Sequence, residues 1–305
     1  MSIMEDAALD LRLRTAAADW LTERAQHQRE LATQAELAEF IFEGRRVALL
    51  DRQRGIRKPA FLDAALSFRT RYTPPGHLPP YEDREGPDGL LRYKYRGEDP
   101  EHPENVALRR AYEHGLPLIW FVGIAPALYL PRYPVWLIAD EPQQLQFVVA
   151  LDEAQRLIVP GDAVGTERRR YVERLTRLRL HQPVFRARVL QAYGTRCAIC
   201  QLRHGSLLDA AHIIPDGQPA GDPVVPNGLA LCKIHHAAFD QNILGIRPDH
   251  RVEVRPDIRK EVDGPMLRHG IQEMHGRQIS LPRQRSAHPH RHRLEARYEK
   301  FRTAA

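Results

Sequence analysis

The chain has 305 residues, which is long for one domain and comfortable for two. Hydrophobic residues make up 43% of it, as in globular chains with a buried core, and no apolar run reaches transmembrane length. The net charge of +6 hides an asymmetry: residues 1–160 hold 20 Lys and Arg against 24 Asp and Glu, and residues 161–305 hold 25 against 15. The halves therefore carry −4 and +10, and the basic half suits a polyanionic partner. With no secretory signal peptide visible, the composition excludes a membrane-spanning chain and predicts a soluble, cytoplasmic protein.

The first half alternates helical and strand-like patterns. Hydrophobic spacing and turn signals predict helices over residues 2–31, 34–46 and 105–114, and strands over residues 89–97, 116–124, 135–140 and 145–151. We find no internal repeat and no low-complexity tract.

The strand over residues 89–97 mixes cations with aromatic residues. Arg92, Lys94 and Arg96 alternate with Tyr93 and Tyr95, which places the two kinds of side chain on opposite faces. Cations beside aromatic rings suit a surface that meets phosphates and stacks on a base, so these five residues are candidate DNA contacts. The alternative is that the aromatic side chains fill a core.

Residues 161–193 read as a basic helical linker. The pattern predicts two helices interrupted at Gln182 and Pro183, the first of them rich in arginine. The shift to basic composition predicts a domain boundary near residue 160. The arginines either follow a DNA backbone or form the solvated face of an exposed helix.

All three cysteines lie in one short segment. Cys197 and Cys200 form a CxxC motif, and Cys232 and His235 form a CxxH motif. Two such pairs offer the four sulfur and nitrogen ligands of a structural, tetrahedral Zn²⁺ site. The alternative, three buried cysteines acting as small hydrophobic residues, does not account for their spacing.

Candidate catalytic residues lie between and beside these motifs. His212 lies on a predicted strand over residues 207–215 that runs into a loop, Asn227 opens a turn, and His236 lies on a predicted helix over residues 229–240. His236 and Asp240 share a face of that helix, whereas His235 points about 100° away from His236. One histidine can therefore serve the zinc while its neighbour faces another site.

The remaining residues carry weaker signals. Residues 243–246 and 252–254 predict a hairpin, and residues 294–301 predict a terminal helix. The basic tail over residues 283–302 either contacts DNA or is simply a charged terminus.

The segments DAAHIIP and NGLALCKIHHAAFD, residues 209–215 and 227–240, resemble the two motifs of HNH nucleases, the ββα-metal fold. The resemblance implies that His212 is the general base, that Asn227 fixes the loop or orients His212, and that His236 binds a catalytic Mg²⁺, Mn²⁺ or Ni²⁺. Many members have a second metal ligand directly before the base, where this chain has Ala211. The nearest acids are Asp209 and Asp240. Asp209 is our predicted replacement, although a regular strand would point it away from His212 unless a bulge intervenes.

A separate domain before an HNH domain resembles modification-dependent (type IV) restriction endonucleases, with residues 81–100 as the matching N-terminal stretch. The expected fold is α+β: a mixed α/β reader domain over residues 1–160, the linker, and a zinc-stapled nuclease domain over residues 194–305. The resemblance implies cleavage of double-stranded DNA carrying modified cytosine, and one site per chain favours a homodimer. The alternatives are an HNH nuclease without modification dependence, of ordinary restriction or homing type, and a non-catalytic zinc-stabilised DNA-binding protein.

Overall fold

A computed structural model describes residues 3–27, 30–74, 86–158 and 166–304. The chain divides into two compact units, residues 1–184 and 185–305. The predicted boundary at residue 160 lies outside the described residues, and so do residues 81–85 of the matching N-terminal stretch. The division between the units falls inside one helix, so the basic linker is not a unit of its own. Within the described residues, no helix is both long and apolar enough to cross a membrane.

The N-terminal unit is built on a mixed sheet. Its elements are α1 (Ile3–Gln26), β1 (Ala32–Thr33), α2 (Gln34–Leu37), β2 (Ile41–Phe42), β3 (Arg45–Arg46), β4 (Ile56–Arg57), β5 (Ser67–Thr70), β6 (Leu91–Lys94), α3 (Pro103–Glu113), β7 (Leu118–Ala125), β8 (Leu128–Glu141), β9 (Gln146–Ala150), α4 (Glu153–Arg156) and α5 (Thr166–Thr176). In the described residues the strands run in the order β4-β5-β7-β8-β9-β6, with β1 paired to β8. Strands β7, β8 and β9 are antiparallel neighbours, and β5 pairs parallel to β7.

The predicted helix over residues 34–46 is wrong beyond its first turn. Strands β2 and β3 form a hairpin around Glu43 and Gly44, whose φ angles are 46° and 76°. Two consecutive residues with positive φ are the signature of a tight hairpin turn, which a glycine favours. The turn therefore outweighs the helical spacing of the apolar residues.

The predicted interruption at Gln182 and Pro183 does not occur. The π-helical turn Arg177–His181 follows α5, and α6 (Gln182–Ala192) continues from it with helical backbone angles at Gln182. Proline lacks the amide hydrogen of an α-helical bond and clashes with the preceding turn. We attribute the tolerance of Pro183 to the wider π turn before it, because such bulges relax the regular hydrogen-bond ladder.

The C-terminal unit contains a ββα element followed by a hairpin and two further helices, so the fold is α+β as predicted. Residues 229–232 form a strand rather than the start of the predicted helix, because this fully buried apolar run pairs with the strand Leu208–His212. A side chain at Gly228 would collide with Val189. The glycine therefore allows α6 to lie close against the hairpin. The elements are β10 (Leu208–His212), β11 (Gly228–Cys232), α7 (Lys233–Asp240), β12 (Leu244–Ile246), β13 (Val252–Val254), α8 (Pro265–Gly270) and α9 (Arg291–Thr303).

Candidate active site and metal centre

The structure brings the four predicted zinc ligands together. Cys197 and Cys200 lie before β10, Cys232 ends β11, and His235 lies in the first turn of α7. Their four ligand atoms all lie within 4.8 Å of one another. Nδ1 of His235 is 3.1 Å from the Cys232 sulfur, and Nε2 is 2.8 Å from the carbonyl oxygen of Gly270. The Gly270 contact fixes the ring so that Nδ1 faces the sulfurs, as an outer hydrogen bond does for a metal-bound histidine.

The charges of this cluster fit a metal site. Hydrogen bonds from Cys200 and Cys232 hold the pKa of Cys197 well below its usual range. Burial lowers the pKa of His235, but its hydrogen bonds to Cys197 and Cys232 outweigh burial and raise it to about 10. Closely packed thiolate and imidazole groups without a cation compete for protons, whereas Zn²⁺ would satisfy all four. The donor set fits a structural zinc with no open position.

His212 lies at the end of β10 with its ring stacked on Phe185, at a centroid distance of 4.0 Å. Its Nε2 atom is buried and has no hydrogen-bond partner among the residues that the structure describes. Burial lowers the pKa of His212 below 6.5, with Asp216 and Asp240 opposing the shift and His236 adding to it. A neutral imidazole with a nitrogen that is not hydrogen-bonded is suited to accept a proton at neutral pH.

Asn227 is completely buried and acts on the loop after His212. Its Oδ1 accepts a hydrogen bond from the amide of Ile214 at 2.9 Å. Its Nδ2 donates to the carbonyl oxygens of Ile214 and Asp222, at 3.0 and 3.1 Å. Of the two roles implied for Asn227, fixing the loop is the one that these contacts perform.

His236 lies between two carboxylates. Its Nδ1 is 3.7 Å from Asp209 and its Nε2 is 3.3 Å from Asp240. Asp209 and then Asp240 raise the pKa of His236 to about 9, against the effect of burial. Asp209 also has Lys233 at 2.9 Å and Arg186 at 3.6 Å, and its pKa lies well below its usual range, mainly because of His236.

Asp209 reaches His236 without a strand bulge. The pairing of β10 with β11 is regular from Leu208 to His212, so the bulge invoked for Asp209 is absent. Asp209 meets His236 because α7 packs against β10. Among the residues that the structure describes, the Cys₃His cluster is the one group of three or more potential ligands within such mutual reach.

Arg92 is wrong as a candidate DNA contact. Only 6% of it is exposed, and its guanidinium pairs with Asp88 at 2.9 Å and with Glu141 at 3.0 Å. An arginine held by two carboxylates inside the unit has no free donor face for a phosphate. It joins β6 to β8.

Tyr93 and Tyr95 are also wrong as DNA contacts, because both rings are in the core. Tyr93 is 8% exposed, and its ring centroid lies 4.6 Å from that of Phe68. Tyr95 is 2% exposed and its hydroxyl donates to Asp140. The alternative of aromatic residues that fill a core is therefore the correct one.

The other two candidates of this strand reach the surface and stay predictions. Lys94 is half-buried, and its ammonium donates to Gln146 at 2.6 Å. Arg96 is exposed and pairs with Glu104.

Sequence reasoning missed the cations around Asp209. Lys233 lies three residues before His236 on α7, so its position near the same site could have been inferred from helical spacing. Arg186 comes from α6 and also donates to the carbonyl oxygens of Gly205 and Leu208. No local pattern connects it to Asp209.

Residues 197–247 match the family model described as HNH endonuclease. No curated protein matched the chain. A solved structure titled "Modification dependent TagI restriction endonuclease" is similar over 81% of this chain and 85% of its own, with 19% identity and a TM-score of 0.30. A second, the "Type IV phosphorothioation-dependent restriction endonuclease ScoMcrA", covers 60% of this chain and 51% of its own, with 16% identity and a TM-score of 0.23.

The family match covers the zinc-type cluster, the hairpin with His212 and the helix with His236. Residues 197–247 are therefore the part of the chain that matches the HNH endonuclease family.

Proposed function

We propose that this chain is a metal-dependent endonuclease that hydrolyses double-stranded DNA carrying modified cytosine. The observation that carries the nuclease part is the arrangement of a half-buried His212 with a lowered pKa, a loop fixed by Asn227 and a histidine flanked by two carboxylates. The modified target rests on the two-unit architecture that resembles modification-dependent restriction enzymes. Zinc in the Cys₃His cluster, a homodimer and a cytoplasmic location belong to the same proposal.

In this mechanism His212 takes the proton from the attacking water, and the stack on Phe185 holds its ring in place. Asn227 holds the backbone at Ile214, two residues after the base. A divalent ion, when bound, supplies Lewis-acid stabilisation of the phosphate and the leaving oxygen. His236 and an acid would hold that ion.

The acid that joins His236 is Asp240 in this proposal, in place of Asp209. Asp209 is already neutralised by Lys233 and Arg186 and contacts Nδ1, which suits a group that orients the ring. The Asp240 side chain is 56% exposed and lies at the other nitrogen, Nε2. An imidazole nitrogen and a solvent-facing carboxylate leave room for the waters and phosphate oxygens that Mg²⁺ requires.

Matched substitutions separate the two acids. Asp240→Asn should weaken Mn²⁺ binding to the purified enzyme, measured by titration calorimetry, because it removes a charged ligand. Asp209→Asn should leave Mn²⁺ affinity closer to that of the wild type and lower the cleavage rate at saturating metal. The opposite ranking of the two Mn²⁺ affinities would return Asp209 to the ligand role.

The specificity test uses one duplex sequence that carries cytosine, methylcytosine or hydroxymethylcytosine. We expect cleavage of at least one modified duplex with Mg²⁺, Mn²⁺ or Ni²⁺ and little cleavage of the plain duplex. The burial of Arg92, Tyr93 and Tyr95 favours a second candidate, a nuclease without modification dependence, since it removes three predicted reader residues. Equal cleavage of all three duplexes would establish that second candidate.

A further inference from the structure

The segment between residues 283 and 293 is the most concentrated basic stretch of the C-terminal unit. It contains four arginines and three histidines and no Asp or Glu. It lies outside residues 197–247, the part that matches the HNH family. From the sequence, the two interpretations were a DNA contact and a charged terminus.

The structure anchors this segment on the loop that leads to Asn227. The amide of His290 donates to the carbonyl oxygen of Pro226 at 3.1 Å. Arg293 pairs with the carboxylate of Asp222 at 3.3 Å, and the carbonyl oxygen of Asp222 accepts the hydrogen bond from Asn227 Nδ2. The segment is therefore connected to the catalytic loop through backbone and side-chain contacts.

A short turn presents the first part of the segment. The 3₁₀ turn Arg285–Ala287 packs against the turn Val225–Asn227, with Ala287 buried. Nε2 of His288 lies 2.9 Å from the carbonyl oxygen of Pro282. This contact links the residues on either side of the turn. A free charged terminus would show none of these contacts.

The four arginines divide by their partners. Arg293 is 8% exposed and forms a salt bridge with Asp222, and Arg291 forms one with Glu295 on the same helix. Arg283 and Arg285 are exposed, and within the described residues neither has an acidic side chain in salt-bridge range. Two unpaired guanidinium groups held on an ordered turn beside a nuclease loop match the charge of a phosphate backbone.

We propose that Arg283 and Arg285 bind phosphates of the duplex flanking the cleaved bond, and that the segment over residues 283–293 is the surface that seats the DNA against the loop of Asn227. This inference deepens the proposed function and rests on DNA being the substrate. Phosphate contacts of this kind position the duplex without reading its sequence. Arg293 and His290 hold the surface in register with the loop and do not touch DNA.

The test measures binding of the full-length chain to a plain duplex as a function of salt, without added divalent ions and in a His212→Ala background. Each lost phosphate contact should reduce the slope of log affinity against log salt by about 0.9. The double variant Arg283→Gln/Arg285→Gln should therefore show a slope shallower by about 1.8. The variant Arg283→Lys/Arg285→Lys, which keeps both charges, should retain most of the slope.

The matched control is Arg259→Gln/Lys260→Gln, which removes two exposed cations from the same unit on the turn Ile258–Lys260. The control should change the salt slope little, because in this proposal Arg259 and Lys260 add to the charge of the unit but do not contact a phosphate. Equal slopes for the two double variants, with zinc content confirming that both are folded, would overturn the proposal. Failure of the wild type to cut any duplex would refute the nuclease proposal instead, since the binding measurement does not depend on cleavage.

Discussion

Replacing Asn227 with alanine should destabilise the catalytic loop more than most single substitutions. The side chain makes three hydrogen bonds to backbone groups of Ile214 and Asp222. At about 1 kcal/mol each they contribute about 3 kcal/mol, and leaving the buried groups of Ile214 without partners raises the cost towards about 5 kcal/mol. Because about 1.4 kcal/mol is a factor of ten, a cost of about 3 to 5 kcal/mol should make the hairpin open roughly a hundredfold to a few thousandfold more often.

Hydrogen exchange measured by mass spectrometry tests this estimate directly. Peptides over residues 208–232 should lose protection in Asn227→Ala, and peptides of the N-terminal unit serve as an internal reference. The control is Gln241→Ala, which removes an exposed amide at the end of α7. If the protection of residues 208–232 changes by less than about 0.5 kcal/mol, as for a surface substitution, the three hydrogen bonds do not hold the loop and the assigned role is refuted.

Cys232→Ser should release zinc and unfold the C-terminal unit, because metal binding and folding are coupled in such sites; elemental analysis of the purified variant checks this. His212→Ala should abolish cleavage with DNA affinity nearly intact. Because the pKa of His212 is lowered below 6.5, protonation of His212 should not affect the wild-type cleavage rate above about pH 7. The rate should fall at acid pH, where His212 becomes protonated, and a rise at acid pH would contradict its role as the general base. Arg92→Met should destabilise the N-terminal unit by about 3 kcal/mol or more, because it removes the guanidinium that pairs with the buried carboxylate of Asp88. Urea unfolding followed by tryptophan fluorescence reads this unit alone, since all three tryptophans lie in it.

The spacing of the candidate zinc ligands and catalytic residues along the chain was enough to predict which of their side chains meet. CxxC and CxxH bring their own two ligands together within a turn, and His235 and His236 diverge because consecutive helical residues point in different directions. The i, i+4 relation of His236 and Asp240 likewise depends only on the helix, and their side chains meet at 3.3 Å. Such relations are local, so the sequence by itself determined them.

The tertiary structure decided which of the patterned side chains are buried and which elements pack against one another. The alternation from Arg92 to Arg96 predicted a strand, and β6 is one, but a period of two does not show that both faces are covered. Asp209 meets His236 because α7 packs on β10, and Arg186 joins them from a third element. Burial and long-range contact depend on the packing of distant segments, which no local pattern encodes, and for that reason the roles of Arg92, Tyr93, Tyr95 and Asp209 could not be settled from the sequence.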